Sequence, residues 1–336
     1  MNMKMNQPHK KCLVLTTVNK PTEAVREFLK TGYDVIVVGD RKTPADYRSL
    51  DCVFLDIDAQ RKQYPNISRL LPMDSYSRKN IGYLHAMRNG YEVIAESDDD
   101  NIPYDGWGRL EHAFTRTVVA PKYPNLYSLF TDEPIWPRGF PLEKIRAGEK
   151  IVIEDAPPAA PGENGRPFII QSLVDGDPDV DAIHRLVFGA REEFRFGQGA
   201  YLLNRGVLSP FNTQNTFWVD RRAFPFLYLP ATVSFRSCDI LKSFVAQNGI
   251  WQRGGRLAFV AASARQQRNP HDLAADFRSE LPIYLGFYKT MQALDSARLR
   301  GNDDDLRVMY RALYESGVVQ EQELRIVDEW LDAASR

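Results

Sequence analysis

Apolar residues in the first hundred positions fall in short continuous runs, separated by stretches with helical spacing. Cys12-Leu-Val-Leu-Thr-Thr-Val18, Asp34-Val-Ile-Val-Val-Gly39, Cys52-Val-Phe-Leu55 and Tyr91-Glu-Val-Ile-Ala-Glu-Ser97 predict four strands. Between the first two, Pro21 to Leu29 carries apolar residues at helical spacing, bracketed by Pro21 and Gly32. A further helix is predicted from about Ser77 to Asn89, ending at Gly90 and leading into the fourth strand. Continuous apolar strands alternating with helices imply an α/β fold with a parallel sheet covered on both faces. Ligands on such sheets bind at the carboxyl ends of the strands.

Beyond residue 120 the pattern loosens. Leu126–Thr131, Phe168–Val174, Phe217–Val219 and Leu257–Ala261 read as strands, and Cys238 to Gln247 as a helix. Pro157 to Gly162 reads as a proline-rich surface loop. In the last sixty residues Leu306, Met309, Tyr310 and Leu313 form one apolar stripe, and Leu324, Val327 and Leu331 another. That tail predicts a helical hairpin packed on the body or on a partner. The expected division is a main α/β domain over residues 1–275 and a C-terminal helical extension over 276–336.

Composition narrows the function classes. The 336 residues carry 43 Lys and Arg against 44 Asp and Glu, a formal net charge of −1. A near-neutral chain has no whole-molecule footprint for nucleic acid. Cys12, Cys52 and Cys238 are odd in number, far apart and set among apolar neighbours, so they read as buried thiols in a reducing compartment. The N-terminus is polar, and no apolar run approaches the roughly 20 residues of a membrane span. The expectation is a cytoplasmic protein without a transmembrane segment.

Candidate chemistry concentrates after the fourth strand, in Ser97-Asp98-Asp99-Asp100-Asn101. Three adjacent carboxylates repel one another and need either open water or a cation. Hard oxygen ligands favour Mg²⁺ or Mn²⁺, often shared with substrate phosphates. Upstream, Arg78 and Lys79 stand at a helix start, a place that attracts anions and that cations usually avoid. They are either solvated surface charges or partners of a bound diphosphate. A basic helix start beside a carboxylate turn describes a metal–diphosphate site.

The stretch from Arg78 to Asp98-Asp99-Asp100 resembles the nucleotide-sugar glycosyltransferases of the GT-A fold, with their Asp-X-Asp motif. Further segments resemble the narrower STELLO-type group and, through it, the reversibly glycosylated polypeptides. These are Trp136 to Leu142, Asp175 to Ala182, Pro210 to Trp218, Leu229 to Leu241 and Arg265 to Asp272. The resemblance runs from about Cys12 to Asp272 and leaves the tail after about residue 290 outside. It implies a GT-A-like, Rossmann-related, mostly parallel sheet flanked by helices. It also implies a nucleotide-sugar donor, UDP-linked by default, and a carbohydrate or glycoconjugate acceptor.

By the same resemblance Asp98 and Asp100 match the carboxylates that hold a divalent cation, Mn²⁺ or Mg²⁺, and Asp99 matches a ribose contact. His271 matches a late metal ligand, and Arg265 and Arg268 are candidates for phosphate oxygens. Thr16, Thr17, Asn19 and Asp40 would lie around the nucleoside, although Thr and Asn in such turns also serve as helix caps. Asp239 is either a helix cap or the general base of an inverting transfer. Asp175, Asp177, Asp179 and Asp181 read equally as a solvated turn or as a loop supporting the site. Phe217, Trp218, Phe235 and Trp251 are either core residues or an aromatic floor for a sugar. Two other functions fit the resemblance: a mutase or self-glycosylating protein using Arg138 or Arg146, and a non-catalytic nucleotide-sugar-binding scaffold.

Overall fold

The computed structural model describes residues 9–155, 167–189, 193–267 and 272–335. The four strands expected from the continuous apolar runs are β1 (Lys11–Thr17), β2 (Asp34–Gly39), β3 (Val53–Leu55) and β4 (Val93–Ser97). They pair in parallel, in the order β3-β2-β1-β4. The later strands are β5 (Asn101–Pro103), β6 (Arg116–Ala120), β7 (Val152–Asp155), β8 (Ile169–Asp175), β9 (Ala200–Leu203), β10 (Asn215–Trp218) and β11 (Leu257–Gln266). They extend the same sheet past β4 as β10-β8-β11-β9-β6-β7, with β5 added on β11. Parallel pairing returns between β8 and β11 and between β6 and β9. The result is a large α/β sheet of the GT-A-like, Rossmann-related kind that the sequence implies.

One strand matters most for function. β10 runs antiparallel to β4, so its first residue, Asn215, stands beside Ser97, the last of β4. Residues 212–214 are thereby delivered to the edge where the acidic turn begins. An all-parallel sheet would have placed that segment at the opposite end.

The helices are α1 (Glu23–Phe28), α2 (Ile57–Gln63), α3 (Pro65–Leu70), α4 (Lys79–Arg88), α5 (Ala182–Phe188), α6 (Cys238–Trp251), α7 (Leu273–Leu285), α8 (Phe287–Ser296), α9 (Asp304–Glu315) and α10 (Glu321–Ala334). Helix α4 starts two residues later than expected because Tyr76–Arg78 winds as a 3-10 turn. It lies so close to the sheet that a Cβ on Gly82 would run into Val14 and Val38. The segment Leu126–Thr131 is not a strand; Leu126–Leu129 forms a 3-10 turn. Its backbone closes on itself, Ser128 to Asn125 and Phe130 to Tyr127, and this buries Leu126, Tyr127 and Phe130 together. Pro157 to Gly162 lies outside the described residues. No helix among the described residues is long and apolar enough to cross a membrane.

Two buried carboxylates join these layers. Glu96 on β4 and Lys242 on α6 are both fully buried and form an ion pair. Glu96 also accepts from the Tyr83 hydroxyl on α4 and, at 2.6 Å, from the indole N–H of Trp218 on β10. One side chain thus fixes four elements. Glu323 on α10 is likewise fully buried and accepts from the Tyr228 hydroxyl and from the backbone N–H groups of Ala231 and Thr232. Tyr228 also packs against Tyr310 and Trp330. The apolar stripes of the tail therefore close on the body of the chain.

Removing one partner of a buried ion pair leaves an uncompensated charge, which costs about 3–5 kcal/mol. Lys242→Ala should lower unfolding stability by that amount in urea titrations, whereas the double variant Glu96→Gln/Lys242→Met should recover most of it. A loss below about 1 kcal/mol in the single variant would mean that the pair does not organise the layers.

Candidate active site

The acidic turn follows β4 directly. Below it lies Lys79, fully buried at the start of α4, which donates to the Ser97 carbonyl at 2.7 Å and to the Tyr76 hydroxyl at 2.9 Å. Its ammonium is 3.5 Å from Asp98. Tyr76 in turn donates to Asp98 at 2.6 Å. Burial raises the Asp98 pKa; Lys79 and Tyr76 oppose that shift, while Asp99 and Asp239 add to it. Asp99 accepts from the Thr17 hydroxyl and from the Asn19 side-chain amide at 2.9 Å, which ties the turn to the end of β1. Asp100 accepts from Gln266 at 3.0 Å, at the end of β11.

The facing wall is built on an arginine. The Arg138 guanidinium, 5% exposed, forks onto Asp179 through Nε at 3.0 Å and Nη2 at 2.9 Å. It also reaches both oxygens of Asp239, at 3.0 and 2.7 Å. Gly139, with φ +86, turns the backbone where a Cβ would strike Ile240 of α6, so Arg138 can lie against the start of that helix. Burial pulls the Arg138 pKa down, but the two carboxylates carry it well above its ordinary value. Asp179 shows the complementary effect: burial opposes it, yet Arg138, Arg236 and Asn212 hold it well below the usual range. Beyond Asp179, Arg236 pairs with the fully buried Glu280 of α7 at 2.8 Å.

Between the two walls lies a cleft of about 420 Å³ over the carboxyl ends of β1, β2 and β4. It gathers Thr16, Thr17, Asn19, Asp40, Asp98, Asp99, Asp100 and Asp239, residues far apart in the chain. Thr16 donates to the Val38 carbonyl at 2.8 Å, and Asp40 accepts from the Arg41 and Ser75 backbone N–H groups, so both are anchored at the rim.

The basic helix start is placed differently from the expectation. Arg78 is fully buried behind the cleft wall, donating to Gln60, Ser68 and the Leu71 carbonyl, with its Nε 4.0 Å from Asp40. Lys79 lies under the turn, and neither residue lines the cleft. Long-range partners satisfy both cations, which explains why they tolerate a helix N-terminus. Arg265 is exposed and also off the cleft. Arg268 and His271 lie outside the described residues.

The Asp175–Asp181 loop is not a solvated turn: all four carboxylates are buried. Asp181 caps α5 through the His184 N–H at 2.7 Å, Asp177 pairs with Arg185, and Asp175 accepts from Tyr104 at 3.0 Å. Of the four aromatic candidates, Phe217 and Trp218 are core, Trp251 is half-buried and Phe235 lines the cleft. Several lining residues carried no local signal, among them Tyr76, Asn212, Gln214, Arg236 and Gln266. Arg138 and Arg146 were considered as reactive groups: the first is enclosed, and the second is exposed and off the cleft.

Charge decides what the cleft can take. Seven lining carboxylates, Asp40, Asp74, Asp98, Asp99, Asp100, Asp179 and Asp239, share the site with the lining cations Lys42, Arg138 and Arg236 and with two buried cations behind the wall, Arg78 at 4.0 Å from Asp40 and Lys79 at 3.5 Å from Asp98. Arg138 is already shared between two of those carboxylates, and Asp74 pairs with Arg41. Among the described residues, no three His, Cys, Asp or Glu side chains form a ready-made metal cage. The carboxylates of Asp98 and Asp100 nevertheless suit a hard cation that completes its shell with phosphate oxygens and water.

No protein-family model matches the chain. It is 29% identical to "Probable glycosyltransferase STELLO1" of Arabidopsis thaliana over 349 aligned residues, and 28% identical to "Probable glycosyltransferase STELLO2" of the same plant over 351. Each alignment covers 96% of this chain and 44% of the relative, so the chain spans less than half the length of the curated relatives it matches. A 96% share cannot stop near residue 290, so the similarity extends into the helical tail, contrary to the narrower extent read from the motifs. Along nearly its whole length the chain is similar to these two probable glycosyltransferases.

Proposed function

We propose that this chain is a divalent-cation-dependent glycosyltransferase. It takes a sugar from a nucleoside-diphosphate donor, UDP-linked by default, and moves it to a hydroxyl of a carbohydrate or glycoconjugate acceptor with inversion. The observation that carries the proposal is the convergence of Asp98, Asp99 and Asp100 with Asp239 on one cleft at the carboxyl edge of the sheet. A diphosphate would be repelled there unless a cation accompanied it.

Asp98 and Asp100 would hold Mn²⁺ or Mg²⁺. The ion, when bound, neutralises charge on the departing diphosphate. The protein's own groups do the rest. Thr17 and Asn19 orient Asp99 toward the nucleoside end of the cleft, and Asp40 offers an acceptor for a ribose or base edge. Asp239 takes the proton of the acceptor hydroxyl as that oxygen bonds to the anomeric carbon and the bond from that carbon to the diphosphate oxygen breaks. Arg138 fixes Asp239 in direction through both carboxylate oxygens, at 3.0 and 2.7 Å, which a base requires.

The mutase reading is weaker on physical grounds. A nucleophilic arginine must lose a proton and reach the donor. Arg138 is enclosed by two carboxylates that hold its proton, and Arg146 is remote from the cleft.

Incubation with a panel of nucleotide sugars, Mn²⁺ and mixed acceptors should release nucleotide from at least one donor. Asp98→Asn and Asp100→Asn should each reduce that release by about tenfold or more, with the folded state unchanged by circular dichroism. Wild-type rates in both variants would contradict the assigned cation site. Asp239→Asn should lower kcat by about 10²–10⁴ while nucleotide affinity stays within a few-fold. Normal turnover in that variant would remove Asp239 from the role of base.

A further inference from the structure

Phe235 is 61% exposed although its backbone is fixed by several hydrogen bonds. It lines the cleft four residues before Asp239. Its backbone is pinned: the Cys238 thiol donates to the Phe235 carbonyl at 3.2 Å, and the Ser237 N–H donates to Ser234 at 2.9 Å. The Arg236 N–H donates to the Ser279 hydroxyl of α7 at 3.3 Å, and the Ser234 hydroxyl donates to the Ser279 carbonyl. The ring stands edge-on to Tyr76, with centroids 5.4 Å apart and planes at 86°. That contact occupies Tyr76, whose hydroxyl is bound to Asp98, and leaves Phe235 largely open to the cleft.

A single exposed apolar residue on a convex surface would need no explanation. This one sits in a concave site among groups that bind hydroxyls, with Arg236, Asn212, Asp179 and Asp239 along the same cleft. An apolar plane bordered by charged and amide groups matches a sugar ring, which has a flat C–H face and an equator of hydroxyls. A flexible protein segment or a lipid chain would not use the polar rim. Val18, 50% exposed and also in the cleft, stands by Thr17 and Asn19 at the nucleoside end, so the two apolar groups serve different parts of the site.

We infer that Phe235 is the stacking platform of an acceptor subsite, and that the acceptor presents a pyranose ring to it. The inference rests on the glycosyltransferase reading, and it adds the class of acceptor and the residue that selects it.

Saturation-transfer NMR on the full chain, with methyl β-D-glucopyranoside and methyl β-D-galactopyranoside as probes and mannitol as an acyclic control, tests it. At least one pyranoside should bind the wild type more strongly than mannitol does. Phe235→Ala should weaken that binding about three- to tenfold, the size of one aromatic contact, and Phe235→Trp should retain it. UDP with Mg²⁺, followed by calorimetry, should bind all three proteins alike. Equal sugar binding by Phe235→Ala, or no pyranoside binding by the wild type, would overturn the subsite. Selective loss of UDP binding in Phe235→Ala would also overturn it, placing the ring under the donor. Failure of wild-type UDP binding alongside Phe235-dependent sugar binding would instead sink the donor reading and leave the subsite standing.

Discussion

The buried pair of Glu96 and Lys242 is the constraint on which the geometry of the site depends. Glu96 lies two residues before Asp98, and Lys242 lies three residues after Asp239, one turn further along the same helix. Neither charge can be left unpaired, because both are fully buried. Burial lowers the Lys242 pKa, and Glu96 supplies the opposing attraction that keeps the ammonium in place. The acidic turn and the candidate base are therefore held to one another through the core. Trp218 and Tyr83 satisfy the rest of Glu96 and bring β10 and α4 into the same lock.

Around that lock the charges form two layers with different tasks. The inner layer is made of ion pairs within the protein: Lys79 with Asp98, Arg78 with Asp40, and Arg138 and Arg236 alternating with Asp179 and Glu280. Above it, Asp99 and Asp100 bring two further carboxylates to the cleft. A small anionic donor fits such a place only when a cation comes with it.

Much of the fold was legible because it is local. The runs at Cys12, Asp34, Cys52 and Tyr91 are continuous and β-branched, and each became a parallel strand. The acidic triplet could be placed because a turn after such a strand has one location, the carboxyl edge. Thr17, Asn19 and Asp239 converge on it, as the motifs implied. What local reasoning missed depends on distant partners. Arg78 reads as a solvated charge or a diphosphate partner, whereas the structure buries it against Gln60, 18 residues upstream, and 4.0 Å from Asp40. Arg138 meets Asp179 and Asp239 across 41 and 101 residues, and no spacing rule covers such a triad. Leu126–Thr131 has strand-like composition, but its backbone bonds are closed within a single turn.

The central claim is that the cleft accepts a nucleoside diphosphate through a shared cation. Calorimetric titration of UDP into the protein, in Mn²⁺ and then in EDTA at the same ionic strength, tests it most directly. The account predicts saturable one-site binding in Mn²⁺ and none in EDTA. Equally tight binding in EDTA would contradict it, because it would mean that the seven carboxylates do not shape the site's charge. Absence of binding in Mn²⁺ would contradict it as well.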